Sequence, residues 1–457
     1  MSYSIIDKHA IYRAWSTRIG QNPRTIGAMD DVKEVALSTD RDHPADPSQP
    51  GPERHRHFSG FDGLRALAAG AVLLHHAGFQ TGYGINRRFG ELLAHGDAGV
   101  SIFFLISGFL LYRPFVERHL SDDSASALGA FWWRRALRIF PGYWVALIGV
   151  YLIFGFGQGE LSTAGDFVTY FGLTQIYDTT RYFYGVNQAW TLATELSFYL
   201  FLPLYALGIR AIARRRPARK VRIEAYGLIV LVVTCVVWRL AWWSYDPFWT
   251  RYGPDLPHPT GPAPFSALAT QYWLPSHLDL FAMGMLLALV SAWVAHNGAT
   301  PKFIRQVAAV PWLWWMLAAA TYWVVSMNVG LPRNLVPLTG TQYFLRQFLY
   351  GLMAFFLLLP AVFGEPRRGL IRKFLVWTPV AYIGLVSYGV YLWHQAIIGY
   401  VRENWLGQTI EFQGALLPVI VIAGSLTVAI ATLSYYLIER PVLRWKNLFT
   451  ADRSATK

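Results

Sequence analysis

The residues best suited to chemistry lie in one apolar segment, FDGLRALAAGAVLLHHAGF, which runs from Phe61 to Phe79. With about 100° of turn and 1.5 Å of rise per residue in an α-helix, Arg65 and His76 lie within about 20° of one face. They are then roughly 16 Å apart along the axis, with Asp62 near the same stripe and His75 about 80° away. One helix face thus carries a fixed cation and a titratable imidazole, a residue type that serves as a general base.

A buried carboxylate is predicted in a second apolar segment, which begins WTLATELSFYLFLPL. Glu195 lies about one and a half turns inside it, where an unpaired charge is costly, so it should have a partner, be protonated or face water. His76 is expected at a comparable depth, and a Glu that orients a His has the logic of a catalytic dyad. The structural alternative is that Asp62 and Arg65 anchor a helix end and His76 is a hydrogen-bonded core residue.

Three arginines, Arg134, Arg135 and Arg138, stand among aromatic residues in FWWRRALRIFPGYW. Guanidinium groups match phosphate oxygens, so this cluster suits a phosphorylated ligand, although ordinary membrane anchoring by basic residues explains it equally well. Ser107 and Gly108 lie in the middle of another apolar segment. There, small residues either allow close helix packing or line a substrate path.

Composition indicates the elements that must position these residues. The chain has 457 residues, 54% of them hydrophobic and 15% charged, and the apolar residues occur in long blocks. A soluble domain is about 25% charged, so the sequence predicts an all-α polytopic membrane protein with about ten transmembrane helices. The predicted spans are Phe61–Phe79, Gly99–Phe115, Ile139–Phe156, Ala189–Ile209, Ile223–Trp243, Pro275–Ala295, Ala308–Met327, Tyr343–Phe363, Pro379–Tyr400 and Ala415–Ile438. The stretch Phe167–Ile176 is too short to span and is expected to be interfacial or re-entrant.

Basic residues predict the orientation of the spans. They concentrate in the loops after even-numbered spans, which places both termini in the cytoplasm. These residues are Arg134, Arg135, Arg138, Arg214, Arg215, Arg216, Arg219, Lys220, Arg222, Lys302, Arg305, Arg367, Arg368, Arg372 and Lys373. The opposite loops are poorer in positive charge and hold Arg87, Arg88, Arg181, Arg251, Arg333 and Arg402. The net charge of +13 is therefore interpreted as topology and not as nucleic-acid binding.

Other parts of the chain carry weaker signals. Residues 1–57 are polar and predict a disordered cytoplasmic tail, and residues 446–457 predict a short cytoplasmic C-terminal tail. Cys235 is the sole cysteine, which excludes an intrachain disulfide and a cysteine metal site, and no metal is expected. His277 and Asp279 open the sixth span and could line its outer mouth. For His394, a hydrogen-bonded structural role is favoured over catalysis.

The motifs together resemble a known family. In chain order they are FDGLRALA followed by the His eleven residues after its Arg, then FFLISGFLL, RRALRIFPGYW, WTLATELSFY, DLFAMGM and SYGVYLWHQ. Over residues 58–445 the chain resembles the acyltransferase-3 family of integral-membrane O-acyltransferases. Because it stops soon after the match, it is similar to the stand-alone type without an SGNH domain. The resemblance implies essential roles for Arg65 and His76, and site positions at Ser107, at Glu195 and in the Arg134–Arg138 loop.

The resemblance implies transfer of an acyl group, often acetyl, from cytoplasmic acyl-CoA to a hydroxyl of an envelope glycan or glycolipid at the plasma membrane. In the expected mechanism the catalytic residues are His76 as general base, Glu195, which orients it, and Arg65, which supports the cofactor or the inner part of its path. The cofactor-binding residues are Arg134, Arg135, Arg138 and Ser107. The alternatives are a transporter or flippase of a lipid-linked sugar or glycolipid, which the missing inverted repeat disfavours, and a non-enzymatic scaffold. The acceptor is open, since Tyr182, Tyr184, Trp249 and Tyr252 could stack on sugars or anchor the interface.

Overall fold

A computed structural model describes residues 58, 60–86, 89–123, 128–154, 161–178, 181, 185–245, 267–331, 338–364 and 369–448. The predicted N-terminal tail, most of the Pro-rich loop after the fifth predicted span and the end of the C-terminal tail lie outside these residues. So do the loop residues Arg87, Arg88, Tyr182, Tyr184, Trp249, Arg251, Tyr252, Arg333, Arg367 and Arg368.

Every regular element in the described ranges is helical. The longer helices and one broken pair are α1 (Phe61–Gln80), α2 (Gly99–Leu120), α3 (Leu128–Leu152), α4 (Trp190–Arg214), α5 (Lys220–Tyr245), α6 (Leu278–Asn297), α7 (Pro311–Met327), α8 (Gly340–Phe363), α9 (Thr378–Leu385), α10 (Ser387–Tyr400) and α11 (Leu416–Ser434). Short α-helices are Tyr83–Asn86, Gly90–Ala94, Ala164–Phe171, Ala267–Thr270, Lys302–Ala309, Leu370–Leu375 and Arg440–Val442. Single π-turns, Val401–Trp405 and Tyr435–Glu439, extend α10 and α11.

Membrane-spanning character is clear for part of this set. Six stretches in the described ranges are long and apolar enough to cross a bilayer, and a bent pair, Lys302–Ala309 with α7, makes a seventh with an 83° bend. Polar and charged side chains lower the mean hydropathy of α1 and α3, and the predicted ninth span is broken at Val386 into α9 and α10. The protein is therefore an all-α polytopic membrane protein, while the count of ten spans stays a prediction.

Glycines bring α2 and α6 into close contact. A Cβ added at Gly108 would lie 2.3 Å from the Phe281 carbonyl oxygen, and one added at Gly284 would lie 2.1 Å from the Leu105 oxygen. Backbones can approach this closely only where no side chain intervenes, which is the packing that small residues permit in membranes. Gly108 thus serves packing, whereas the neighbouring Ser107 lines a cavity.

A buried ion pair ties α5 to the start of α6. The Arg239 guanidinium lies 2.7 and 2.9 Å from the two Asp279 carboxylate oxygens, and it also donates to the Ser276 carbonyl. Arg239 is only 3% exposed. Because a buried cation without a partner is costly, this pair fixes how the two helices meet.

The stretch predicted to be too short to span forms the helix Ala164–Phe171 and then a 3₁₀ turn, Gln175–Tyr177. Thr163 and Asp166 form a capping box at its start, and Arg181 lies 2.9 Å from an Asp166 carboxylate oxygen. Hydrogen bonds from Thr163, aided by Arg181, lower the pKa of Asp166 to about 2. The outward apolar side chains of this helix, among them Val168, are exposed.

Candidate active site: two polar cavities along the same helices

Two cavities lie within the described helices, and both are lined by ionisable side chains. The first, here named the arginine cavity, has a volume of about 130 Å³. Its polar lining residues include Arg65, Ser107, Arg135, Arg138 and Glu195. The second, named the histidine cavity, has a volume of about 230 Å³. Its polar lining residues include His75, His76, Asp97, Gln188, His277 and Arg346.

A pair of imidazoles borders the histidine cavity. Nδ1 of His76 on α1 lies 3.0 Å from Nε2 of His394 on α10, and the two ring centroids are 4.9 Å apart. His394 Nδ1 in turn lies 2.8 Å from the carbonyl oxygen of Tyr391. The Val72 carbonyl oxygen is 3.1 Å from the same His76 Nδ1. His394 therefore stands between His76 and the α10 backbone.

These contacts assign the protons of the neutral imidazoles. A carbonyl oxygen only accepts, so His394 must carry its proton on Nδ1 and present the lone pair of Nε2. His76 then donates from Nδ1 to His394, which leaves the lone pair on His76 Nε2. A free ring nitrogen on a residue that lines a cavity is what a general base requires.

Three guanidinium groups line the arginine cavity, and two of them have a carboxylate partner. The Arg135 guanidinium lies 5.9 Å from the centroid of the Tyr199 ring, and Arg138 lies 3.7 Å from the Glu439 carboxylate. On α1, Arg65 pairs with Asp62 at 2.9 Å. In the described part of the chain no carboxylate lies within ion-pair distance of Arg135. Its guanidinium is therefore available to an anionic ligand.

Glu195 belongs to the arginine cavity and not to the histidine cavity. It accepts a hydrogen bond from the Ser107 hydroxyl, and Tyr199, one helical turn further along α4, lines the same cavity. The predicted direct pair between Glu195 and His76 does not occur among the described contacts, because the two side chains reach different cavities. The partner of His76 is His394 instead.

The remaining predicted site residues are only partly brought together. Arg65, Ser107, Arg135 and Arg138 line one cavity, as a common cofactor site would require. Arg134 does not line it and is half-buried elsewhere on α3. His76 lies in the other cavity, so the structure separates the predicted base from the predicted cofactor residues. Their chemical roles remain predictions.

His277, which the sequence offers as a residue that could line the outer mouth of the sixth span, lines the histidine cavity. It is 4% exposed and packs against the rings of Trp190 and Phe104. Sequence reasoning did not single out Asp97, Arg346 and Tyr350 of the same cavity. Tyr350 donates to Asp97 at 2.7 Å from α8, the helix that also carries Arg346. An arginine inside an apolar span is itself a signal of function. Arg346 in FLRQFLYG could have been found in that way.

The fold and site define an all-α membrane protein with two polar cavities between its helices. Residues 58–436, well over half of the chain, match the family model described as an acyltransferase domain. The chain belongs to this acyltransferase family.

Three relatives show what the chain is similar to. It is 28% identical to nodulation protein 10 of Rhizobium leguminosarum bv. viciae, over 87% of this chain and 96% of that protein. It is 22% identical to a protein of Staphylococcus aureus strain MRSA252 provisionally named an O-acetyltransferase, over 87% of this chain and 60% of the relative. YrhL of Bacillus subtilis strain 168, provisionally named a peptidoglycan O-acetyltransferase, is 26% identical over 85% of this chain and 55% of the relative. No solved structure matched the chain.

Proposed function

We propose that the protein is a membrane O-acyltransferase that moves an acyl group, acetyl in the first instance, from acyl-CoA to a hydroxyl of a cell-envelope glycan or glycolipid. The observation that carries this proposal is the pair of cavities along the same helices. One cavity is lined by arginines that suit phosphates, and the other by an imidazole with a free nitrogen. The names of the relatives provisionally called O-acetyltransferases support the acyl type and the hydroxyl acceptor.

The donor is placed in the arginine cavity. Arg135 and Arg138 would hold phosphate oxygens of acyl-CoA, because guanidinium forks form bidentate charge-assisted hydrogen bonds with phosphate. Arg65 faces the same space and would support the inner part of the path. In this proposal the arginine cavity opens to the cytoplasm of a protein with ten spans, both termini inside, in the plasma membrane. The distribution of Lys and Arg over the loops supports that orientation.

The acceptor is placed in the histidine cavity. Its hydroxyl oxygen attacks the thioester carbonyl carbon while His76 Nε2 takes the hydroxyl proton. The new C–O bond forms, the C–S bond breaks, and the departing CoA thiolate takes the proton back from the imidazolium. His394 is a positioning residue in this scheme, since it accepts the hydrogen bond that holds His76 in the required tautomer. Glu195 balances the arginine charges and holds Ser107.

The test measures transfer from radiolabelled acetyl-CoA to an envelope lipid and glycan extract, with wild type and variants at equal membrane abundance. We expect wild type to incorporate label and His76→Ala to lose it by about 10²–10⁴-fold, the usual contribution of a general base. His296→Ala, at the exposed end of α6, is the matched histidine control and should retain incorporation. If acetyl-CoA and longer acyl-CoA donors give no label while His76→Ala alters glycolipid export, the transporter alternative is favoured instead.

A further inference from the structure

The two cavities meet at one level of the helix bundle. Among the described residues, α1, α2, α4 and α10 line both cavities, and Val100 and Tyr391 are the residues common to the two linings. On α4 the lining passes from one cavity to the other between two consecutive residues, since Trp190 lines the histidine cavity and Thr191 lines the arginine cavity. Val100 and Tyr391 thus form a wall between the cavities.

Both wall residues are held in place. The Thr191 hydroxyl donates to the Tyr391 hydroxyl oxygen at 2.9 Å, and Tyr391 lies 3.3 Å from the Gln188 carbonyl oxygen to which it donates. Val100 is β-branched on a helix, where one side-chain rotamer dominates. Its α2 backbone is also pinned, since a Cβ on the preceding Gly99 would lie 2.4 Å from the Ala68 carbonyl oxygen of α1. The Tyr391 ring therefore cannot swing away without breaking these hydrogen bonds, and Val100 is held by its backbone and its rotamer preference.

The wall adjoins the imidazole pair. The Tyr391 ring centroid is 5.8 Å from that of His394, and His394 contacts His76 directly. A reacting carbonyl must come within about 3–3.5 Å of the attacking oxygen. With the CoA phosphates among the arginines and the acceptor beside His76, the acyl group is the part of the donor that has to reach this wall.

We infer that the acyl group meets the acceptor in this wall, at the gap between Val100 and Tyr391. We name this gap the aperture, and we infer that it selects short acyl chains by size. The inference rests on the proposed acyltransferase function. A chain longer than acetyl would have to fit between a stiff valine and a tethered tyrosine ring, or take up space in the histidine cavity that the acceptor needs. Among acyl chains of two or more carbons, acetyl needs the least room on either side.

The test compares kcat/KM for acetyl-CoA and butyryl-CoA. Val100→Ala removes two methyl groups from the aperture, and we expect the butyryl-to-acetyl ratio to rise by about tenfold, at the low end of what pocket methylenes contribute to discrimination. Val100→Ile narrows the aperture and should shift the ratio in the opposite direction. Leu111→Ala enlarges the arginine cavity roughly 16 Å further along α2 and should leave the ratio unchanged.

The wall can also be tested without turnover. Cys235→Ala yields a cysteine-free chain, to which either Ser101→Cys in the histidine cavity or Ser107→Cys in the arginine cavity is added. A charged, membrane-impermeant thiol reagent should reach the two cysteines from opposite faces of oriented vesicles. Labelling of both cysteines from the same face of the vesicles would contradict the inference that the wall separates the two cavities.

The outcomes separate this inference from the proposed function. If wild type transfers acetyl but both Val100 variants keep the wild-type donor ratio, size selection by the aperture is wrong and the acyltransferase stands. If no acyl-CoA supports transfer by wild type, the proposed function fails and size selection fails with it. Opposite-face labelling would in that case still support the wall as a barrier between the two cavities.

Discussion

Replacing His394 by alanine tests the geometry of the imidazole pair. The change removes the 3.0 Å hydrogen bond from His76 Nδ1, whose net worth is about 0.5–1.5 kcal/mol. The Val72 carbonyl oxygen remains 3.1 Å from the same nitrogen, so the proton can stay on Nδ1 and the base nitrogen stays free. The expected loss in kcat is therefore about tenfold, since 1.36 kcal/mol corresponds to a factor of ten in rate. It is well below the loss expected for His76→Ala.

The assay is steady-state acetyl transfer with purified protein, with kcat and KM determined separately for the donor. We expect His394→Ala to lower kcat with little change in the KM for acetyl-CoA, because His394 does not line the arginine cavity. His394→Gln offers an amide oxygen as acceptor and should recover part of the rate. Unchanged kcat in His394→Ala would refute the positioning role. A loss as large as that of His76→Ala would make His394 a base in its own right.

Three further predictions, two of them with a matched control variant, test the arginine cavity and the packing of the helices. Arg135→Gln should raise the Kd for acyl-CoA by about tenfold, because it removes a charge-assisted hydrogen bond. The control Arg134→Gln should change the Kd less. Equilibrium binding at fixed ionic strength measures both Kd values. Gly108→Ala should destabilise the helix packing by about 1–3 kcal/mol, whereas Gly70→Ala, with no atom near its added Cβ, should be neutral or stabilising in thermal unfolding in detergent. Asp279→Ala leaves the Arg239 guanidinium buried without a counter-charge, so the free energy of unfolding should fall by about 3–5 kcal/mol in the same assay. An Asp279→Ala protein as stable as wild type would contradict the importance of this ion pair.

Periodicity predicted what a single helix determines. The shared face of Arg65 and His76 follows from helix geometry, and both residues lie on the continuous helix α1 and line cavities. For Gly108, residue size left close packing and a substrate path open, and the structure shows close packing. The sequence did not predict the partner of His76. It gives the depth of a residue in the bilayer, but it does not tell which helices lie side by side. Glu195 was expected at a similar height, but the bundle turns it towards Ser107.

Helix breaks were equally beyond sequence reasoning. The predicted ninth span reads as one apolar run, yet it divides at Val386, and α10 begins at Ser387 with Ser387 and Tyr388 in the arginine cavity. No proline lies at the break, and Gly384, two residues before it, serves close packing against the Asp62 backbone of α1. The helix start is instead fixed by its tertiary contacts, such as the hydrogen bond from Tyr388 to the Ile139 carbonyl oxygen, 2.6 Å long. Pairing across such a distance in sequence is not visible in local patterns.

The spacing of Arg65 and His76 gains a meaning from the two cavities. Eleven residues return a helix to nearly the same face after a rise of roughly 16 Å, so one helix can place a cation in one cavity and a base in the next. A spacing of seven would keep the face within about 20° but shorten the rise to about 10 Å, which would put the second residue at the position of Val72. The arrangement thus requires two properties of the spacing. The angle around the helix must be small so that both residues point inward, and the rise along the axis must be long enough for the wall to lie between them. On this reasoning α1 sets the distance between the inner part of the donor path, at Arg65, and the acceptor hydroxyl beside His76. The pantetheine arm of the donor spans most of that distance and brings the acyl group to Val100 and Tyr391.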